Sequence, residues 1–305
     1  MKKKKIIINK PAPILLFVYR RYGILRKTVK SLKKNKGCDN HELYIFSDGP
    51  RNSSEKFQIN KVRKYIKTIS GFKKKKIFYR KKNFGLAKNI INGVSQIIKL
   101  KKKVIVIEDD LFLNKNFLDY MNKCLTRYEN KKKIMHISGW NYQFKFPDIK
   151  CDIFFSRYMN CWGWATWIDR WKFYKKNPDY LIKNWSPKKI NKFNLDGSYN
   201  FWSQVIRNKQ GILNSWAIFW YASVFNKNGL CVNPINSLVI NIGMDSFSTN
   251  TKNIKRLKNI SFLSDKKIEK FPKIFKENKI IIDYIKSKIK SSFFNKVISK
   301  FGLQN

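Results

Sequence analysis

Three carboxylates in succession, Glu108-Asp109-Asp110, stand directly behind the run Val104-Ile105-Val106-Ile107. An unbroken β-branched run predicts a strand covered on both faces, as in a parallel sheet. Adjacent carboxylates at the end of such a strand repel one another. A hard divalent cation, Mg²⁺ or Mn²⁺, relieves that repulsion when one or two carboxylates and substrate phosphates hold it. The plainer alternative is a solvated acidic turn. The chain carries only 19 acidic residues against 66 basic ones, which makes three acids in a row conspicuous and favours the cation.

The elements around the triplet follow from hydrophobic period. Ile14 to Tyr19 and Leu43 to Phe46 read as buried strands, and Lys76 to Arg80 as a short one. Leu25 to Lys34, Phe57 to Ile69 and the stretch opened by Asn83-Phe84-Gly85 carry apolar residues at helical spacing. Strands alternating with helices in this way predict βαβ units and a parallel sheet. Ligands of such sheets bind beyond the carboxyl ends of the strands. Arg21, Asp48 (in Ser47-Asp48-Gly49-Pro50) and the acidic triplet all fall at such ends.

Further on, Asn116 to Tyr128 predicts a helix and Ile134 to Ser138 a strand. Aromatic residues then crowd between Trp140 and Trp171, most densely in Cys161-Trp162-Gly163-Trp164-Ala165-Thr166-Trp167. An aromatic minicore and a stacking surface for sugar rings both fit that pattern. Residues 175–200 read as surface loops with a short helix. Phe201 to Arg207 and Ser215 to Phe225 read as helices, Asn233-Pro234 as a turn, and Ser237 to Ile242 as a short strand. Gly243 to Asn250 has the small, polar composition of a lid loop.

Composition sets the bounds. With 305 residues, 43% of them hydrophobic and 15% aromatic, the chain is too apolar for disorder and long enough for one large domain or two small ones. A net charge of +47 draws anionic partners: nucleic acid, phospholipid headgroups or phosphorylated glycolipids. The five cysteines are scattered, without CxxC spacing, so a disulfide framework and a zinc site are not expected and a reducing cytoplasm is. With His41 and His136 as the only histidines, a histidine metal site is not expected either. No apolar run reaches the ~18 residues of a membrane span. In the Lys-rich tail, Ile281, Ile285, Ile289, Phe293, Val297 and Phe301 recur every four residues. That predicts a basic amphipathic helix, suited equally to packing on the domain and to lying on an anionic membrane.

Six stretches in this order resemble the GT-A-fold glycosyltransferases, in particular a family-2-like bacterial group related to the N-acetylglucosaminyltransferase I type. They are Pro13 to Arg21, Tyr44 to Pro50, Asn83 to Ala87, Val106 to Leu111, Cys161 to Trp167 and Ser237 to Asp245. The resemblance implies that the triplet is this group's DxD motif. Asp110 would hold Mn²⁺ or Mg²⁺ on the donor diphosphate, while Asp109 and Glu108 would contact the donor's ribose and sugar. Arg21 and Asp48 would hold the nucleotide, Asp48 at a uracil edge. Trp162 and Trp164 would shape the acceptor or donor-sugar side, and the loop from Gly243 would close over the donor. Three positions depart from the pattern: Arg20 for Asn or Asp, Asn250 for His, and Asn214 for an acidic residue. The last puts the catalytic base in doubt, since an amide accepts no proton at neutral pH. The acids left for that role rank Asp245, then Asp196, then Asp169.

The expectation is therefore an α/β, GT-A (Rossmann-like), mostly parallel sheet flanked by helices. Residues 1–250 would form the glycosyltransferase domain, with a nucleotide-binding half (11–140) and an acceptor half with lid (141–250); residues 251–305 would form a basic, partly helical tail. The activity expected is metal-dependent, inverting transfer of a sugar, of hexosyltransferase type, from a UDP-linked donor. The acceptor would be a glycan or lipid-linked saccharide of cell-surface polysaccharide synthesis. The protein would be cytoplasmic and peripheral on the inner membrane face, with nucleic acid not a partner. A nucleotidyltransferase of similar fold and a non-catalytic basic nucleic-acid-binding module are the rivals. The second leaves the acidic triplet unexplained, because acids repel phosphate unless a metal intervenes.

Overall fold

The computed structural model describes residues 10–146, 149–243 and 266–300, with 292–300 by backbone alone. The first half alternates as the periodicity predicts: β1 (Ile14–Val18), α1 (Tyr22–Lys33), β2 (Glu42–Ser47), α2 (Lys56–Thr68), β3 (Lys74–Tyr79), α3 (Gly85–Lys101) and β4 (Lys103–Glu108). Then follow β5 (Leu111–Leu113), α4 (Phe117–Arg127), β6 (Ile134–Ser138), β7 (Ile153–Ser156), β8 (Trp164–Trp167) and α5 (Ile168–Trp171). The remaining elements are α6 (Pro178–Asn184), α7 (Pro187–Phe193), α8 (Trp202–Lys209), α9 (Ala217–Asn226), β9 (Leu230–Pro234), β10 (Val239–Asn241) and α10 (Lys279–Lys300).

One sheet runs β3-β2-β1-β4-β8-β6-β9-β7, and a second pairs β10 with β5. Pairing is parallel from β3 through β4 and again between β6 and β9, with β8 and β7 inserted antiparallel. The carboxyl ends of β1, β2, β4, β6 and β9 therefore share one edge of the sheet.

The strand before the triplet is covered on both faces, as its run of apolar residues requires. Ile105 and Ile107 pack with Leu25, Val29, Val62, Met121 and Leu125 of α1, α2 and α4. Val104 and Val106 pack on the other side with Ile90, Val94 and Phe219 of α3 and α9, and with Ile281 of α10. Each such side chain contributes about 1.5–3 kcal/mol when fully buried. Edge strand β3 carries Lys74, Lys75 and Lys76 in succession, which discourages pairing with another chain.

Three readings are corrected. Asn233-Pro234 ends strand β9, with Pro234 in register with Ile153, rather than forming a turn. The aromatic stretch supplies two buried strands, β7 and β8, that no alternation marked. Residues 175–200 hold two helices, each opened by a capping side chain and a proline. Asn177 accepts from the Tyr180 amide at 2.9 Å and Ser186 from the Lys189 amide at 3.4 Å, with Pro178 and Pro187 following. In the tail, Ile281 and Ile285 are fully buried against the domain, so the first half of α10 packs rather than faces solvent. Among the described residues no helix is long and apolar enough to cross a membrane.

Candidate active site

The triplet ends β4, where it faces the residues that follow β1. The Arg21 guanidinium donates through Nη2 to Asp110 Oδ2 at 2.8 Å and to Asp109 Oδ1 at 3.2 Å. Its Nη1 donates to the Gly243 carbonyl at 3.0 Å. Asp109 is tied further: its Oδ2 accepts from the Tyr19 amide at 2.9 Å and its carbonyl from the Thr28 hydroxyl at 2.7 Å. Asp109 thus holds the start of α1 against the end of β4 as well as facing Arg21.

Asp110 is placed differently. Its carbonyl accepts from the Ile242 amide at 2.8 Å, which fastens the end of β10 beside it. Only glycine permits that approach, since a Cβ on Gly243 would lie 2.5 Å from Asp110 Oδ2. One carboxylate oxygen, Oδ1, is buried and has no hydrogen-bond partner. A buried lone pair without a donor is costly. It suits a ligand position for a hard cation.

The charges agree. Burial, then Asp110 and Asp109, push the Glu108 carboxyl well above its ordinary range. Burial also raises Asp109, with Arg21 pulling against it and Asp110 adding to the rise. Burial disfavours charge on Arg21 too, but Asp109 and Asp110 outweigh it and raise the guanidinium further. Among the described residues Arg21 is the one cation paired with these acids. Among the described residues no three His, Cys, Asp or Glu side chains converge into a complete metal cage. A divalent ion here would need oxygens from a bound ligand beside the Asp110 carboxylate, as is usual for Mg²⁺.

The other predicted residues fall out unevenly. Asp48 sits at the end of β2, but its carboxylate is taken by backbone. Oδ1 accepts from the Gly49 and Phe84 amides at 2.9 and 2.8 Å, and Oδ2 from the Gly85 amide at 3.0 Å. It therefore shapes the turn into α3 rather than standing open to a nucleobase. Trp164 is 1% exposed and belongs to the core, stacked on Trp216 at 5.0 Å and beside His136 and Trp171. Trp162 is half-buried at the same sheet edge as the triplet, edge-on to Trp140 at 5.1 Å.

Asn214 lies two residues before Trp216, which stacks on Trp164; it is exposed and accepts from the Lys176 ammonium. Asp196 is paired with Lys286 of α10 at 2.5 Å. Asp169 is paired with Arg170 and Lys132 just beyond β8, whose Trp167 lies opposite Lys103, so it sits at the sheet edge away from the triplet. Asp245 and the rest of the expected lid, Met244 to Asn250, lie outside the described residues.

One constellation escaped sequence reading. Glu55, buried before α2, accepts from the Tyr19 hydroxyl, from Arg20 Nη1 at 3.0 Å and from the Arg51 amide at 2.9 Å. The Arg51 guanidinium lies 5.7 Å over the Tyr19 ring. Glu55 lies ahead of the helix read from Phe57, in a short 3₁₀ turn, Ser53–Glu55, that the sequence reading did not mark. Arg20, the departure noted above, is explained here as Glu55's partner.

The elements that carry this geometry can be compared with known proteins. Residues 14–147 match the model of glycosyl transferase family 2. That stretch contains Arg21, Asp48 and the whole triplet, and the match supports a glycosyltransferase class for it. The mostly parallel sheet with flanking helices agrees with a GT-A, Rossmann-like fold. No curated protein matches the chain. Solved structures show distant similarity. One is the mannosyltransferase PcManGT from Pyrobaculum calidifontis in complex with GDP-Man and Mn²⁺, at 10% identity and TM-score 0.34, over 44% of this chain and 36% of that one. Another is TarS of S. aureus, at 16% identity and TM-score 0.30, over 41% of this chain and 20% of that one. A third is a UDP-glucose pyrophosphorylase complexed with UDP-glucose, at 10% identity and TM-score 0.37, over 73% of this chain and 90% of that one. The chain thus spans well under two thirds of the first two.

Proposed function

We propose that the chain is a metal-dependent glycosyltransferase of the family-2-like group related to the N-acetylglucosaminyltransferase I type. It transfers a hexose-type sugar with inversion from a UDP-linked donor to a glycan or lipid-linked saccharide. The observation that carries the reading is Asp110, whose unpartnered buried Oδ1 stands at the carboxyl end of β4 beside Arg21. The family-2 match over the same stretch supports it.

In this reading Asp110 holds Mn²⁺ or Mg²⁺, and the bound ion supplies Lewis-acid neutralisation of the leaving diphosphate. Arg21, the other positive group at the site, contacts the diphosphate once it turns from the acids. Glu108 and Asp109 orient the donor's sugar and ribose. Asp48 acts indirectly by fixing the turn on which the nucleotide rests. The acceptor hydroxyl needs a carboxylate within ~2.6–3.2 Å. Asp245 keeps first rank for that role. Asp196 ranks below it, because Lys286 occupies its carboxylate, and Asp169 drops out at the far edge. The basic surface and tail suit work on cell-surface polysaccharide at the cytoplasmic face of a membrane.

The test is a panel of nucleotide sugars with Mn²⁺ and with chelator, reading released nucleoside diphosphate. Metal-dependent release of UDP from a UDP-sugar is expected. Release of pyrophosphate from UTP mixed with a sugar phosphate, with no UDP released from any nucleotide sugar, would instead identify a nucleotidyltransferase.

A further inference from the structure

The second half of the sheet carries an opening that the donor site does not use. Behind β6 and β9, at the same edge as the triplet, lies a cavity of about 460 Å³. Tyr142, Phe144, Phe146, Ile235, Asn236 and Lys145 are among its walls.

Its aromatic wall belongs to a longer row. Trp162, Trp140, Tyr142, Phe144 and Phe146 follow one another with ring centroids 5.1, 4.9, 5.4 and 6.2 Å apart. Trp140 to Phe146 are alternate residues of one segment, with Gln143 and Lys145 exposed between the rings. Tyr284 of α10 packs on Phe144 and Phe146 from behind, at 6.4 and 5.7 Å, so the helix fixes the far end of the row. The near end reaches the donor site. Cys161, next to Trp162, is close enough to Glu108 that the carboxylate, after burial, helps push its thiol up to about 12.

A second connection runs through β10. Ile235 to Leu238 line the cavity, and four residues beyond Leu238 the Ile242 amide is bonded to Asp110. An extended chain rises ~3.3 Å per residue, so the cavity lies within roughly 15–20 Å of Asp110.

The polar groups describe what would enter. Asn141, fully buried, precedes Tyr142 of the cavity wall in sequence. Its Nδ2 donates to the Ile235 carbonyl at 3.0 Å, while its Oδ1 has no partner. Among the described residues the cavity's one carboxylate, Asp152, is already committed: it accepts from the Glu269 and Lys270 amides at 2.8 and 2.7 Å and from Lys266 Nζ at 3.0 Å. Lys145 on the wall and Lys150 next to Cys151 are both exposed, so the rim is positive. A row of aromatic side chains suits the apolar sides of sugar rings, and exposed lysines suit carboxylates on them.

We propose that this row and cavity form the acceptor's extended subsite, and that the acceptor is an oligosaccharide carrying acidic sugars. The inference rests on the glycosyltransferase reading for its role but not for its binding chemistry. The aromatic row takes successive sugar residues and Lys145 meets a carboxylate.

The test uses full-length protein and two probes, a hyaluronan tetrasaccharide, which carries carboxylates, and neutral chitotetraose. Binding is read by calorimetry and by tryptophan fluorescence, with UDP and Mn²⁺ titrated separately. The acidic tetrasaccharide is expected to bind more tightly than the neutral one. Phe144→Ala should weaken it about tenfold, and Lys145→Glu, an exposed change that leaves the fold alone, should weaken it several-fold, by about the value of a rim charge. UDP affinity should not move in either variant. Equal affinity for both probes, no binding of either, or no effect of Lys145→Glu would overturn the proposal. Saccharide binding without UDP binding would keep the subsite and remove the donor reading, whereas UDP binding without saccharide binding would do the reverse.

Discussion

Arg21 is the cation paired with Asp109 and Asp110, so removing it should expose how its charge is shared. Its Nη2 lies 2.8 Å from Asp110 and 3.2 Å from Asp109, with side-chain exposures of 19%, 14% and 8% respectively. Two unit charges ~4 Å apart interact by about 4 kcal/mol at an effective dielectric of 20. Breaking such a buried pair costs ~3–5 kcal/mol, and the partial exposure here discounts that to about 2–3 kcal/mol. Arg21→Gln should therefore lower the free energy of unfolding by about 2–3 kcal/mol in chelator. Mn²⁺ should then restore a good part of it, because the cation meets acids that no longer have their guanidinium. In the wild type Mn²⁺ alone should stabilise less, since Arg21 already occupies Asp110. The assay is urea unfolding followed by circular dichroism, for both proteins, with Mn²⁺ and with chelator and without nucleotide. Equal stability of the two proteins in chelator, or equal stabilisation by Mn²⁺, would refute the reasoning.

Three further outcomes are expected. His136 is fully buried, accepts from Trp220 Nε1 and donates to the Asn160 carbonyl; burial pushes it down to about 3. The unfolded chain therefore binds a proton below about pH 6.5 that the folded chain refuses until about 3, so stability present above 6.5 is lost as pH falls, by about 2 kcal/mol at pH 5. Glu108 and Asp109, raised by burial, act in the opposite sense. The comparison that isolates the histidine is thus wild type against His136→Gln, and parallel pH profiles of the two urea midpoints would contradict it. Asn214→Asp should raise turnover if the base is missing, with donor affinity unchanged; no gain leaves the role to another acid, for which Asp245→Asn should then cost most of the turnover. Removing residues 292–305 should weaken co-sedimentation with anionic vesicles, more so at low salt, while neutral vesicles bind neither form; unchanged sedimentation would make the tail structural.

The first half of the chain was legible because most of its strands and helices carry one clean period. β1 is apolar throughout and β2 and β4 have apolar centres, and α1 and α3 repeat at 3.6 residues, so the triplet and Arg21 could be placed at strand ends before any contact was known. The second half was less legible for a physical reason. β7 and β8 are short, buried on both faces and almost wholly apolar or aromatic, so they alternate with nothing and read as a cluster. Trp164 and Trp162 are two residues apart in one motif, yet only register with β4 separates the core ring from the half-buried one. The spent carboxylates of Asp48, Asp196 and Asp169 were not visible either. Their partners are backbone amides or residues up to ninety positions away, and no local pattern records them. The signals for α6 and α7, a capping residue followed by proline, were present and were outweighed by the polar composition around them.

The central claim is that Asp110 binds a divalent cation together with a nucleoside diphosphate. The most direct measurement is calorimetric titration of UDP into wild type and Asp110→Asn, each with Mn²⁺ and with chelator, alongside circular dichroism to show that both are folded. Tight binding is predicted only for wild type with Mn²⁺, and the variant, which keeps the shape but loses the ligand charge, should lose at least about tenfold, ~1.4 kcal/mol. Equal UDP affinity in Mn²⁺ and in chelator, or an Asp110→Asn protein that still binds as wild type does, would contradict the account.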